Sequence, residues 1–304
     1  KIGTTLKGIG PSYSNKTQRN GLRVGDLKDM VYFEARLRSL VAQLTNAYPG
    51  LDIDVEAELA YYHSIREELL PLITDTIVYC SDALDQGKNI LIEGANATML
   101  DLDFGTYPYV TSSNPSVGSS CTGLGVPPQD IRSVSGIVKA YCTRVGEGPF
   151  PTELLDTTGE TLRTAGGEFG TTTGRPRRCG WIDIPQLKYA IMLNGIEDIN
   201  LTKLDVLSGF ETIQIGTRYM HEGDEVRGMP ASISTYAQVQ VEYETMPGWK
   251  EDISKCRTFE ELPANCQAYV MRLQELLNGP RIRWIGVGNG RADLIEVVCP
   301  VEED

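Results

Sequence analysis

An α/β fold with a mostly parallel central sheet flanked by helices is what this sequence predicts, and three observations predict it. Short apolar runs stop at glycine or at polar turns, as buried strands do. Between them, apolar residues recur at spacings of three and four, as on a helix that buries one face. Long loops rich in Gly, Ser, Thr and Asn follow the runs, at the strand ends where open α/β sheets bind ligands.

Taken in order, residues 1–25 read as a Gly- and Thr-rich loop, and 54–86 as helix, with Leu59, Tyr62, Ile65 and Leu69 on one stripe. Asn89–Glu93 is a short apolar run ending at Gly94, hence a buried strand. The polar stretch from Gly94 to Gly125 is too long for a plain connection, and such loops in compact domains are usually functional. Ile137–Val145 is a second strand. Gly166–Arg178 is another Gly/Thr/Arg loop, followed by a helix around Gln186–Asn194 and a strand over Ile199–Leu204. Residues 259–278 read as helix with Pro263 in its first turns, and Trp284–Val287 and Leu294–Val298 close the chain as strands.

Composition narrows the function. The 304 residues are 41% apolar, enough to bury a real core as one large domain or two; the single domain over 1–304 comes with the resemblance given below. No run of about 18 apolar residues occurs, so no spanning helix is expected. The opening Lys1-Ile2-Gly3-Thr4-Thr5 carries no apolar leader and no initiator Met; it starts inside a Gly/Thr motif and reads as trimmed. A net charge of −13 argues against long nucleic acids, which require many phosphates to be neutralised. Small nucleotides need only a few local cations. Seven scattered Cys without a CxxC pair, and two His without a ligand partner at useful spacing, indicate reduced thiols in a cytoplasmic protein and no structural zinc.

Four segments carry chemistry. Lys203-Leu204-Asp205 ends a strand. A carboxylate there can accept from the N1–H and 2-amino group of guanine while the Lys stem covers the base. Adenine lacks that donor pair, and sites built on such bonds discriminate by about 10⁴; the bland alternative is an ordinary surface charge pair. Gly170-Thr171-Thr172-Thr173-Gly174-Arg175-Pro176-Arg177-Arg178 combines a tight backbone path with planar cationic forks suited to carboxylate and phosphate. Gly3-Thr4-Thr5 and Gly8 to Arg19, which includes Lys16, suit a phosphate or form a turn-rich loop leading into a helix. The stretch Glu93 to Asn114 is rich in donors and acceptors that name no ligand. Together these loops support a protein that handles a purine nucleotide and a second anionic substrate.

In combination the segments resemble the adenylosuccinate synthetase family, from about Gly3 to Val298. GIGPSYSNKTQR (Gly8–Arg19) is similar to one of that family's two signatures. EGANATMLDLDFGTYPYVTSSN (Glu93–Asn114), TRVGEGPFPTE (Thr143–Glu153), TGRPRRCGW (Thr173–Trp181), LTKLDVL (Leu201–Leu207) and YETMPGW (Tyr243–Trp249) match in order and at family spacing. Asn96 and the Gly286-Val287-Gly288 turn resemble the eukaryotic branch. The resemblance implies a P-loop-NTPase-like synthetase fold with its N-terminal strands missing. It implies a magnesium-assisted reaction in which GTP phosphorylates the 6-oxygen of IMP and the amine of L-aspartate displaces that phosphate, giving adenylosuccinate. By position, Thr5, Asn96, Thr111 and Arg175 would contact IMP, and Arg19 would reach the IMP phosphate of the neighbouring subunit of a homodimer. Thr171, Thr172, Thr173, Gly174, Arg175, Pro176 and Arg177 would hold aspartate. Arg177, Lys203, Leu204, Asp205, Gly286, Val287 and Gly288 would hold GTP, with Lys16 and Arg177 supporting the phosphates.

The sequence departs from that pattern in three places. The family's other signature, a Gly-Asp-Glu-Gly-Lys-Gly-Lys loop, does not occur in these residues. With it the resemblance places the catalytic Asp and His and the Mg²⁺ ligands upstream, so no catalytic or metal residue is assigned here. The chain alone is expected to be inactive, with a bare sheet edge. Pro176 stands where relatives carry Arg or Lys, and it restricts Arg175 to extended backbone. Ser119 stands where relatives carry Gly, a cost if that position needs a positive φ. The rival reading is a non-catalytic remnant that binds guanine nucleotide or IMP. A small regulatory GTP-binding domain is excluded by the lack of a Gly-x-x-x-x-Gly-Lys-Ser/Thr loop.

Overall fold

The computed structural model describes residues 6–170 and 174–297. The first surprise is a helix. Ile9–Gln18 (α1) lies where periodicity gave only loop, because it buries no side chain and so leaves no apolar stripe to detect. It stops at Arg19, whose left-handed backbone (φ 64°) turns its N–H back onto the carbonyls of Asn15 and Lys16. Met30–Ala47 (α2) and Val55–Leu69 (α3) follow, each capped by an aspartate: Asp29 accepts from the Tyr32 amide at 3.1 Å and Asp54 from the Ala57 amide at 3.0 Å. They share a small core of Leu27, Phe33, Leu37, Val41 and Leu59. The helix expected over 54–86 breaks at Pro71 and restarts at Thr76–Asp85 (α4) under the Asp75 cap.

Asn89–Glu93 is not a strand. Strand structure needs a partner for its backbone groups, and none is provided among the described residues; Leu91 is 95% exposed. The long loop after Gly94 carries one helix, Gly118–Leu124 (α5). Ser119 lies within it and is not among the positive-φ residues, so serine costs no backbone strain there.

The apolar run at 137–145 divides into Ser135–Lys139 (β1) and Cys142–Arg144 (β2). Next come Thr157–Ala165 (α6), Arg178–Gly180 (β3), Ile182–Asp183 (β4), Ile184–Asn194 (α7) and Asp198–Thr202 (β5). The stretch Thr212–His221 (β6), Asp224–Val226 (β7), Ile233–Tyr236 (α8) and Gln240–Pro247 (β8) follows, then Ala264–Leu277 (α9), Arg281–Gly286 (β9) and Leu294–Glu296 (β10). Pro263 is the cap residue of α9 and not inside it, which shortens the helix expected from 259.

The central sheet has the order β1-β5-β9-β10, with the first three parallel and β10 antiparallel. This is the mostly parallel α/β arrangement that the sequence predicts. Among the described residues β1 has β5 as its sole neighbour, and Ile137 in it is 78% exposed, the bare edge anticipated above. A second sheet pairs β4 in parallel with β6, and β6 antiparallel with both β7 and β8. β2 and β3 form an antiparallel pair beside the central sheet.

The main core lies between the two sheets and their helices. Ile199 and Leu201 of β5, Ile285 of β9, Ile213 and Ile215 of β6, and Leu162 of α6 are all fully buried in it. α9 contributes Cys266, Tyr269, Val270, Leu273 and Leu277, the three-and-four spacing that marked it in sequence. Tyr269 donates its hydroxyl to the Ala140 carbonyl at 2.8 Å, tying α9 to the turn that leaves β1. The six described cysteines are free. No helix among the described residues is long and apolar enough to cross a membrane.

Candidate nucleotide and anion site

Because β1, β5 and β9 run in parallel, their C-terminal ends open on one rim. Lys139 ends β1, Lys203 follows β5 directly, and Gly286 ends β9. Three of the predicted segments converge here.

Lys203 is held in the left-handed region (φ 58°, ψ 34°), unusual for a lysine and characteristic of residues constrained by a site. Its Nζ donates to the Gly166 carbonyl and lies 3.3 Å from Glu168 Oε1. Leu204 begins a short turn and is fully buried, so only its backbone is available to a ligand. Asp205, half-buried, has its pKa raised by burial, an effect opposed by its own amide and by Lys203. A carboxylate in that state gains from two incoming N–H donors.

Gly286 packs on this reader. A Cβ there would stand 3.3 Å from Thr202 Cα, so a side chain would press the two strand ends a few tenths of an ångström apart. Val287 is fully buried and offers backbone alone. Gly288 abuts Asp293, whose Oδ2 would be 2.7 Å from an added Cβ. Asp293 ties the turn together: it accepts from the Gly290 amide at 2.7 Å, and Arg257 pairs with it at 2.9 Å.

The anion loop is the tip of a hairpin. The Arg177 amide donates to the Glu168 carbonyl at 2.9 Å, Phe169 bridges Pro176, and the Gly170 amide donates to Arg175 at 2.8 Å. Gly174 (φ 63°) completes the turn. Gly174, Arg175 and Pro176 are exposed at this tip, while Arg177 and Arg178 sit deeper. Thr5, Thr171, Thr172 and Thr173 lie outside the described residues. Arg178 forms a fork on Glu153, with Nε to Oε1 at 2.6 Å, and donates to the Gly148 carbonyl at 2.8 Å.

Between hairpin and reader sits Glu168, fully buried. Lys139 donates to both of its oxygens at 2.9 Å, Tyr141 at 2.6 Å and Arg177 at 2.7 Å. Burial alone would raise its pKa. Donation from Tyr141, Lys139 and Arg177 outweighs that and holds the carboxyl at about 2. Sequence reasoning missed Glu168, Lys139 and Tyr141; a lone acid just ahead of a basic loop was the available signal.

A further loop packs on β2 and α7, where Arg144 donates to Thr106 Oγ1 at 3.0 Å and Tyr189 to the Phe104 carbonyl at 2.8 Å. Asp101, fully buried, accepts from the amides of Asp103 (2.9 Å), Phe104 (3.2 Å) and Ser116 (3.2 Å) and from Asn114 Nδ2 (3.0 Å). That fixes the path on which Thr111 lies, its amide bonded to the Leu100 carbonyl at 2.8 Å. Asn96 is exposed with φ 71° at the start of this loop. α1 packs on it through Gly10, where a Cβ would stand 3.1 Å from Ser112 Oγ. Lys16 and Arg19 are exposed on α1 and form no ion pair with the other predicted site residues among those described.

Among the described residues, no group of three or more His, Cys, Asp or Glu is placed to hold a metal ion. The residues on this rim are suited to anions and a purine base.

A family described as adenylosuccinate synthetase matches residues 1–295. The chain is 60% identical over 299 residues to an adenylosuccinate synthetase of Phaeodactylum tricornutum, covering 97% of this chain and 57% of that protein. It is 57% identical over 303 residues to that of Phytophthora infestans, covering 100% of this chain and 55% of the relative. The chain thus spans little more than half the length of these curated relatives. A solved structure described as fully ligated adenylosuccinate synthetase from Plasmodium falciparum superimposes with a TM-score of 0.94 at 44% identity, covering 98% of this chain and 71% of that one.

Proposed function

The chain belongs to the adenylosuccinate synthetase family, and from that premise we propose that the protein carrying it joins L-aspartate to IMP with GTP as the energy source. The observation that carries this reading is the meeting of a guanine reader and an anion hairpin on one rim, both held to Glu168.

In this reading the Asp205 carboxylate accepts from the guanine N1–H and 2-amino group. The Lys203 stem and the Gly286–Gly288 backbone flank the base. Leu204 and Val287 contribute main-chain atoms only. Arg177 faces the GTP phosphates, and residues 171–177 take the aspartate carboxylates, with Arg175 also reaching IMP. Thr5, Asn96 and Thr111 hold the IMP base and ribose, with Lys16 supporting the phosphates. Arg19 serves the IMP phosphate of a second copy in a homodimer. Its exposure on α1 supports a role directed outward.

The chemistry has two balanced steps. The IMP 6-oxygen attacks the γ-phosphorus of GTP as N1 gives up its proton, and GDP leaves. The aspartate amine then attacks C6, inorganic phosphate leaves with the C6–O bond pair, and the amine loses a proton. Mg²⁺, when bound, neutralises charge on the phosphates. The described residues do not supply its site, and its ligands and the proton-transferring groups belong to the longer family sequence. With the described cysteines unpaired, we place the protein in a reducing compartment, the cytoplasm, and treat residues 1–304 as one domain.

The test is an assay of protein expressed from the complete coding sequence, with its intact mass recorded. GTP-dependent formation of adenylosuccinate, lost on omission of either IMP or aspartate, is the expected result. A protein of about 33.5 kDa that binds GDP or IMP but forms no product would replace this reading with the binding remnant.

A further inference from the structure

We infer that Glu168 is a positioning residue, the common anchor that registers the anion hairpin's Arg177 and the base reader's Lys203 into one rigid ligand-binding unit. The inference rests on the function proposed above and deepens it.

Two features distinguish Glu168 from an ordinary buried ion pair. The first is stoichiometry. One carboxylate faces three cations, Lys139 and Arg177 at 2.9 and 2.7 Å and Lys203 at 3.3 Å, with Tyr141 donating as well. A pair that served stability alone would balance its charge. Here the cations around Glu168 outnumber it three to one, the half-buried Asp205 offsets part of that excess at Lys203, and an arriving anion completes the balance. The second is direction. The Glu168 side chain is fully buried, whereas those of Lys139, Arg177 and Lys203 are 28%, 26% and 32% exposed. The carboxylate stands behind, and the cations stand in front of it towards solvent.

The connections also cross elements. Arg177 is pinned twice to the same residue, its amide to the Glu168 carbonyl and its guanidinium to Oε2. This uses one N–H of a fork that carries five. Lys203 comes from the end of β5, and its Nζ is shared between Glu168 and the Gly166 carbonyl, two residues away on the same hairpin stem. Lys139 comes from the end of β1 and also reaches Thr143 Oγ1 at 3.0 Å. A shift of the hairpin therefore moves the reader, and glutamate is the part they share.

The test uses Glu168→Gln in protein from the complete coding sequence, with KM measured separately for GTP, aspartate and IMP, alongside GDP binding and thermal midpoint. Loss of one charge-assisted contact to each cation predicts KM rises of about tenfold for GTP and for aspartate, with KM for IMP changed less than about twofold. With the anchor neutral, Lys139 loses the contacts that favour its charged form and gives up its proton more readily. The alkaline limb of the kcat/KM profile for GTP should then move to lower pH. Tyr141→Phe removes one donor without altering volume or net charge, and predicts a change of about threefold in the same two constants. It serves in full if Glu168→Gln does not fold. Asp198→Asn, which releases Arg281 and Arg283 at the opposite end of β5, is the stability control. Lowered thermal midpoints with all three KM values unchanged, or raised equally, in the Glu168 or Tyr141 variant would overturn the inference while leaving the proposed function intact. A wild-type protein that binds no guanine nucleotide would overturn both.

Discussion

In the proposed reading, nucleotide choice turns on Asp205. It is half-buried, its pKa is raised by burial, and Asp252 and Asp293 add to the rise. The carboxylate must be ionised to accept two N–H donors, so its raised pKa makes GTP affinity fall on acidification sooner than an exposed aspartate would allow. Asp205→Asn keeps the shape and loses the acceptor pair. It should lower kcat/KM for GTP by about 10² and narrow the gap between GTP and its xanthosine analogue. Equal losses for both nucleotides would show that Asp205 does not read the base. Its Lys-x-Asp pattern was visible in sequence beside the competing reading of a surface charge pair, and the fold sets it half-buried just after β5. Glu168 was not visible there: its role depends on Lys139, Tyr141 and Lys203, which lie about 30 residues away along the chain and meet it only in the fold.

At the level of elements, the hairpin and the strand behind it are set by close backbone approach. Gly180 of β3 is the tightest point: a Cβ there would sit 2.2 Å from the Thr152 carbonyl oxygen, an atom that cannot swing aside. Gly180→Ala should therefore cost about 2–4 kcal/mol, read as a lower urea midpoint at constant slope. A midpoint within error of the parent would mean that the loop at Thr152 yields freely. Elements differed in how much they revealed. α7 was visible because its sequence carries cap, proline and stop: Asp183 accepts from the Gln186 amide at 3.1 Å, Pro185 follows in the first turn, and Gly195 ends it with φ 61°. α1, with nothing buried, left no periodic trace. Residues 89–93 were apolar enough to read as a strand, but composition supplies no pairing partner.

The whole molecule depends on pH through its most buried charges. Glu168 has a folded pKa of about 2, below the roughly 4.3 of an unfolded glutamate. A depressed carboxyl stabilises the fold fully above the unfolded value, and the contribution is lost as pH falls from about 4.5 towards 2. Wild type should therefore exceed Glu168→Gln in stability at pH 7, and the gap should close across that window in urea titrations at pH 7, 4 and 3. A gap constant with pH would show that the carboxylate is not the group responsible. The central sheet joins this charge cluster to the main core, because β5 buries Ile199 and Leu201 and ends at Lys203.

The amino-acid sequence by itself determined the α/β class and the parallel strands, and it marked Asp205 and the run from Gly170 to Arg178 as candidate ligand-binding positions. Each of these is written in neighbouring residues: strand runs, helix stripes and caps, and glycine beside charge. Only the tertiary structure decided that Glu168 holds Arg177 and Lys203 together, that Asp101 ties down the loop bearing Thr111, and that Leu204 and Val287 turn into the core. The physical reason is that a buried carboxylate is stable only where donors from several elements converge on it. That convergence is a property of the fold, with no local pattern to announce it.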